Sequence, residues 1–301
     1  MTRAPGPLAR SLLRRPDIRR RIFLERLTEP LHLNLLSALV AVLGTYRMKI
    51  AFDLVLRQEY ANGLMRAAEL ARAGGFSRVT VVELGVGAGT GLLNLCSIAE
   101  RLSPATGIGF DIVGFDSGRG LPEPADYRDH PECWGTGWFP MQPRQLLEAL
   151  AGRAALVLGD FAETVPPFAD RIDPRAPLGF AILDVDYYTS AKSALALFAG
   201  PASSYLPYLP VYVDDIKLPS HNSKAGEALA IAEFNQAQTF RALEFDRFLV
   251  HSRIFKHAKW LSHMFNLHVL DHPRRNDLSG RGFVRDPGNP YLHMPGKGED
   301  P

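Results

Sequence analysis

Five short runs of β-branched and aliphatic residues punctuate the middle of the chain: VTVVELG (79–85), FDIVGFD (110–116), ALVLGD (155–160), GFAILDVD (179–186) and YLPVYVDD (208–215). Helical stretches such as RQLLEALAG (144–152), AKSALALFAG (191–200) and KAGEALAIAEFNQAQ (224–238) separate most of them. Strands that alternate with helices form βαβ units, which close only as a parallel sheet flanked by helices. The runs are almost continuously apolar, the pattern of strands buried on both faces. Residues 76–271 are therefore expected to form an α/β, doubly wound, mostly parallel sheet with helices on both faces. Residues 17–74 carry a helical period ending at Gly74 and Gly75, a plausible C-cap, so 1–75 reads as an N-terminal helical extension, an arm or lid. Residues 272–301, rich in proline, glycine, arginine and aspartate, read as a loosely ordered tail.

Composition excludes several classes. Two cysteines, Cys96 and Cys133, cannot make a disulfide framework and fit a reducing, cytoplasmic setting. A formal net charge of +2 argues neither for nor against nucleic acid, but eight arginines crowd the first thirty residues. That arm suits a nucleic acid or a membrane surface less well than a solvated helix face. The most apolar run, LHLNLLSALVAVLG (31–44), is too short to span a bilayer and reads as a buried or dimer-forming helix.

The first run leads into VVELGVGAGTG, with Glu83, Gly85, Gly87 and Gly89 at a strand-to-helix turn. Glycines there let backbone approach a ligand, and the helix start offers free N–H groups. A dinucleotide fingerprint fails on spacing: counted from Gly85 it needs glycine where Thr90 stands, and from Gly87 where Leu92 stands. The pattern present, E-x-G-x-G-x-G, resembles the first motif of class I S-adenosylmethionine-dependent methyltransferases. Asp116, ending the second run, is placed to accept from ribose hydroxyls, and Asp160, ending the third, from an adenine amino group. Ser117 and Phe161 adjoin them as further cofactor contacts. Helix capping would explain any one of these acids alone.

IVGFDSGRGLPEP, LDVDYYTSAKSAL, and VDDIKL followed by EALAIAEFN resemble successive segments of the macrocin O-methyltransferase family, over roughly residues 78–240. The resemblance implies a Rossmann-like methyltransferase fold, S-adenosylmethionine and Mg²⁺ as cofactors, and methylation of a sugar hydroxyl in a natural-product pathway. It also implies that Asp184, Asp214 and Asp215 bind the metal. Adjacent parallel strands would bring these three carboxylates to one rim, where a hard cation relieves their repulsion; capping of the following helices is the bland alternative. Candidates for the base are Asp184, Asp186 and His221, with Lys217 a weak substitute. His130 and Cys133 lack a second pair and are not read as a zinc site. The long segment 117–143, with Tyr127, Trp134, Trp138 and Phe139, reads as a lid over the acceptor. A non-catalytic scaffold and an RNA-directed methyltransferase are the competing readings.

Overall fold

A computed structural model of the chain describes residues 20, 24, 26–217 and 222–275. Its strands are β1 (Arg78–Leu84), β2 (Gly109–Asp116), β3 (Ala155–Leu158), β4 (Leu178–Leu183), β5 (Tyr208–Val213), β6 (Arg241–Phe245) and β7 (Met264–Val269). They form one sheet in the order β3-β2-β1-β4-β5-β7-β6. The first five are mutually parallel, while β7 runs antiparallel to both β5 and β6. The chain winds outward from β1 to β3, then returns to start β4 on the other side of β1. That reversal opens a crevice at the carboxyl ends of β1 and β4, where open α/β sheets bind ligands.

The five expected strands are all present; β6 and β7 were not anticipated. Strand β6 carries Arg241 and Glu244, and its burial falls away toward Phe245, so it lacks the apolar continuity that marks a central strand. Strand β7, MFNLHV, interrupts its apolar residues with Asn266 and His268.

Helices α1 (Leu31–Leu43), α2 (Tyr46–Ala51) and α3 (Gln58–Ala73) precede the sheet, and α4 (Thr90–Thr106) and α5 (Pro143–Leu150) follow β1 and β2. Helices α6 (Phe161–Ala169), α7 (Tyr188–Ala194) and α8 (Gly226–Ala237) follow β3, β4 and β5, and the short α9 (Leu249–Ser252) follows β6. Helix α3 packs on β1, β4 and β5 with α4 beside it; α6, α7 and α8 line up against one another on the opposite side.

Helix α3 belongs to the core of the sheet domain instead of to a separate arm. It lies so close to β4 that a Cβ at Gly63 would sit 2.2 Å from Phe180 Cζ. Tyr60 and Leu64 of α3 are fully buried with Phe180, each such side chain contributing about 1.5–3 kcal/mol over its exposed state. The ordered chain also runs past residue 271: His272 is buried, and Arg275 Nε donates to Pro207 O at 3.0 Å. Most of the arginine-rich start, though not Arg20 and Arg26, and the end of the chain lie outside the described residues.

Helix α1 is different. It carries no charge, buries only Ser37 and Val40, and leaves Leu31, Leu35, Leu39, Val42 and Leu43 exposed. No helix among the described residues is long and apolar enough to cross a membrane.

Candidate functional site

A cavity of about 760 Å³ opens at the switch point between β1 and β4, within the range of small-molecule sites. Glu83, near the end of β1, is 1% exposed and accepts a hydrogen bond from Tyr60 Oη at 2.8 Å. Burial pushes its carboxyl up to about 7, against the pull of Arg57. Two glycines make this corner possible. A Cβ at Gly91 would lie 2.0 Å from Glu83 Oε1, so the first turn of α4 tolerates no side chain there. At Gly85, with φ +88°, a Cβ would meet the Asp184 carbonyl oxygen at 1.7 Å. The ends of β1 and β4 are in fact tied together, Asp184 N donating to Leu84 O at 2.9 Å.

Asp116 ends β2 and is buried. Its Oδ2 accepts from Val86 N at 3.0 Å and Gly87 N at 2.8 Å, and Oδ1 from Gly118 N at 2.6 Å. It thus clamps the glycine turn, and of roughly four acceptor sites on a carboxylate three are used. Asp160 is exposed and caps α6, Oδ1 accepting from Ala162 N at 2.8 Å. Ser117 Oγ donates to Gly120 O at 3.0 Å. Asp116, Ser117, Asp160 and Phe161 all line the cavity, as do Glu83, Gly85 and Gly87. Gly89 does not: a Cβ there would meet Leu146 Cδ1 at 2.2 Å, so its place in the motif is set by packing of α5.

The acids from β4 and β5 converge as the strand positions require. Asp184, Asp214 and Asp215 each present a carboxylate oxygen, and these atoms lie within 4.8 Å of one another. Burial, then Asp214 and Asp215, holds the Asp184 carboxyl well above its usual range. Glu227, in the first turn of α8, sits fully buried behind them; its Oε2 accepts from Asp215 N at 3.0 Å while Oε1 has no partner. Tyr212 Oη donates to Asp214 Oδ1 and fixes that carboxylate. Hard oxygen donors, clustered and in part unpartnered (Asp215 Oδ2 is another), fit a divalent cation such as Mg²⁺ or Ca²⁺.

Asp186 plays a separate part. It is 8% exposed with φ +56°, and it lines the cavity together with Asp215. Burial, foremost, pushes Asp186 up to about 6 and Asp215 up to about 9, so at neutral pH the pair retains one proton. Asp186 does not cap α7. The Thr189 amide at that helix start is taken by Asp129 Oδ1 at 2.9 Å, and Thr189 Oγ1 by the same carboxylate at 3.1 Å. Asp129 is fully buried, also accepts from Ala125 N at 2.8 Å, and so staples segment 117–143 to the site. Trp134, Trp138 and Phe139 of this segment pack edge to face, and Trp134 and Phe139 line the cavity. His221 lies outside the described residues. His130, Glu132 and Cys133 do cluster, Glu132 being the member that the sequence reading overlooked.

Several site residues carried no sequence signal. Arg57, just ahead of α3 with φ +52°, lines the cavity beside Glu83 and Asp184. Burial works against its charge, but Tyr60, Glu59, Asp184 and Glu83 outweigh that and hold its pKa above the ordinary arginine value. Tyr60 and Arg57 fall within the segment expected as a helical arm or lid. Glu227 reads in the sequence as an ordinary first-turn acid; only an acid positioned after the double aspartate could have hinted at it.

No family model matches the chain, and no curated protein matches it. Among solved structures it is similar to CalS11, calicheamicin methyltransferase, at 19% identity over 89% of this chain and 99% of that one, with a TM-score of 0.47. It is also similar to the O-methyltransferase NovP, at 16% identity over 70% of this chain and 79% of that one, again with a TM-score of 0.47.

Proposed function

We propose that the chain is an S-adenosylmethionine-dependent O-methyltransferase, with a Mg²⁺-type cation at Asp184, Asp214 and Asp215 and a hydroxylated small-molecule acceptor. The acceptor class, a sugar or glycosylated metabolite, rests on the motif resemblance. The observation that carries the reading is the order of groups along one rim of the sheet. Asp160, Asp116 and Glu83 stand at the ends of β3, β2 and β1, and a cation-ready carboxylate triad follows at once on β4 and β5. Nucleoside recognition and metal chemistry are thereby adjacent, one strand apart, in a single cavity.

In this reading the donor brings a sulfonium methyl, and the cation lowers the pKa of an acceptor hydroxyl held beside it. The remaining work falls to the chain. Asp116 and Asp160 orient the nucleoside. Asp186, which lines the cavity beside the triad without belonging to it, is the group placed to take the hydroxyl proton. Trp134 and Phe139 roof the cavity and exclude water, and Glu227 holds the Asp215 backbone from behind.

Calorimetric titration with S-adenosylmethionine tests the donor; absence of binding would end the proposal. Thermal and urea unfolding with and without MgCl₂ test the cation. At 100 times its dissociation constant a bound cation stabilises the fold by about 2.7 kcal/mol, and Asp184→Asn or Asp214→Asn should remove that gain. A wild-type midpoint indifferent to Mg²⁺, Mn²⁺ and Ca²⁺ refutes the metal assignment alone.

A further inference from the structure

The cavity wall is lopsided in charge. Eight carboxylates line it among the described residues, and against them stands a single cation, Arg57. Its position is imposed, since a non-glycine residue held at φ +52° just ahead of α3 costs backbone strain that the surrounding packing must offset. The guanidinium lies 4.9 Å over the Tyr60 ring, and Nη1 reaches Tyr60 Oη at 3.5 Å, a long contact. Tyr60 Oη already donates to Glu83 at 2.8 Å. Among the described residues no carboxylate is within ion-pair distance of Arg57. A fork of five donors, with one marginal bond, therefore faces a cavity.

The order of strand ends fixes which part of a ligand this fork would meet. If Asp160 and Asp116 take adenine and ribose, the non-nucleoside end of the ligand extends over β1 and β4. There Arg57 lies with Glu83 and Asp184. That end of S-adenosylmethionine is an amino acid, with one ammonium and one carboxylate. The acids and carbonyls of this corner suit the ammonium; of the charged side chains that line the cavity, only Arg57 suits the carboxylate.

We infer that Arg57 is the anchor for the α-carboxylate of the methyl donor, a positioning residue held just ahead of α3. The inference rests on the methyltransferase reading above. A planar guanidinium holds a carboxylate bidentately and so fixes direction as well as affinity. With the carboxylate held at one end and the nucleoside at the other, the sulfonium between them is aimed toward the triad on β4 and β5.

The test is binding, measured by calorimetry without turnover, on three probes. S-adenosylhomocysteine carries both charges of the amino acid, S-adenosyl-3-thiopropylamine keeps the ammonium but lacks the carboxylate, and 5′-methylthioadenosine lacks both. Wild type should bind S-adenosylhomocysteine about 10- to 100-fold more tightly than the decarboxylated probe. An acidic wall without an anchor would do the reverse and favour the more cationic ligand, and that result overturns the inference. Arg57→Met should lower S-adenosylhomocysteine affinity about 10- to 100-fold and leave the decarboxylated probe within about twofold, with Arg57→Lys in between. Equal loss for both probes, or loss for neither, overturns it as well. Should Arg57→Met fail to fold, the wild-type comparison decides by itself. If wild type binds none of the three, the methyltransferase reading falls first, a result distinguishable from a cofactor bound without help from Arg57.

Discussion

Glu83→Gln isolates the energetic consequence of burying a carboxyl at the head of β1. The side chain is 1% exposed, and its folded pKa stands at about 7 against an ordinary value of 4.5. Below pH 4.5 the group is protonated folded or unfolded and costs nothing. As pH rises from 4.5 toward 7 the unfolded chain releases the proton while the folded protein keeps it, so stability falls; above 7 the loss is complete. At about 1.36 kcal/mol per pH unit, that interval amounts to about 3 kcal/mol. Glutamine keeps the shape and the acceptor for Tyr60 but cannot ionise. Urea unfolding of both proteins, without ligand, at intervals from pH 4.5 to 8.5 should show the variant gaining on wild type through the window and levelling off above pH 7. Taking the difference cancels Asp53, whose own carboxyl is raised to about 6 at a distant site. A difference that stays flat with pH would refute the assignment of Glu83 as a buried, proton-retaining acid.

Gly91→Ala should destabilise by about 1–3 kcal/mol, read as a lower urea midpoint at constant m, and Glu83→Ala should relieve part of that cost in the double variant because the clash is with Glu83 itself. Asp129→Ala strips acceptors from Thr189 and Ala125 and should cost about 1–3 kcal/mol, with limited proteolysis newly cutting within 117–143; unchanged protease resistance would show that the staple is not what orders this segment. Glu227→Gln removes a carboxyl that burial and four neighbouring aspartates hold well above its usual range, so the cation-free variant should gain stability at pH 8, and a loss would mean that Glu227 is needed ionised.

The parallel half of the sheet was legible because each of its strands is an almost continuously apolar run closed by glycine or an acid. The β6–β7 pair was not, since residues such as Arg241 and Asn266 break the run while burial is decided across strands. At the site, the acids were readable because they follow directly on strand ends, where fold geometry fixes their position. Tyr60 belongs to, and Arg57 immediately precedes, a helix whose approach to the sheet depends on Gly63 meeting Phe180, a tertiary contact with no local trace. Gly89 shows the converse: a motif glycine whose requirement comes from Leu146, fifty-odd residues away. Asp160 behaves as both readings allowed, capping a helix while facing the cavity.

Strand β7 is the last in sequence yet lies inside the sheet, between β5 and β6. During synthesis, β5 must therefore wait with one edge unpaired until residues 264–269 have left the ribosome. The peptide that bears Asp214 is locked from that same side, because His263 Nδ1, immediately before β7, donates to Asp214 O at 2.7 Å. A nascent chain halted before this point would hold the β1–β3 half of the crevice and lack a fixed β4–β5 half. Order of translation thus leaves the acid triad without its full support until β7 has formed.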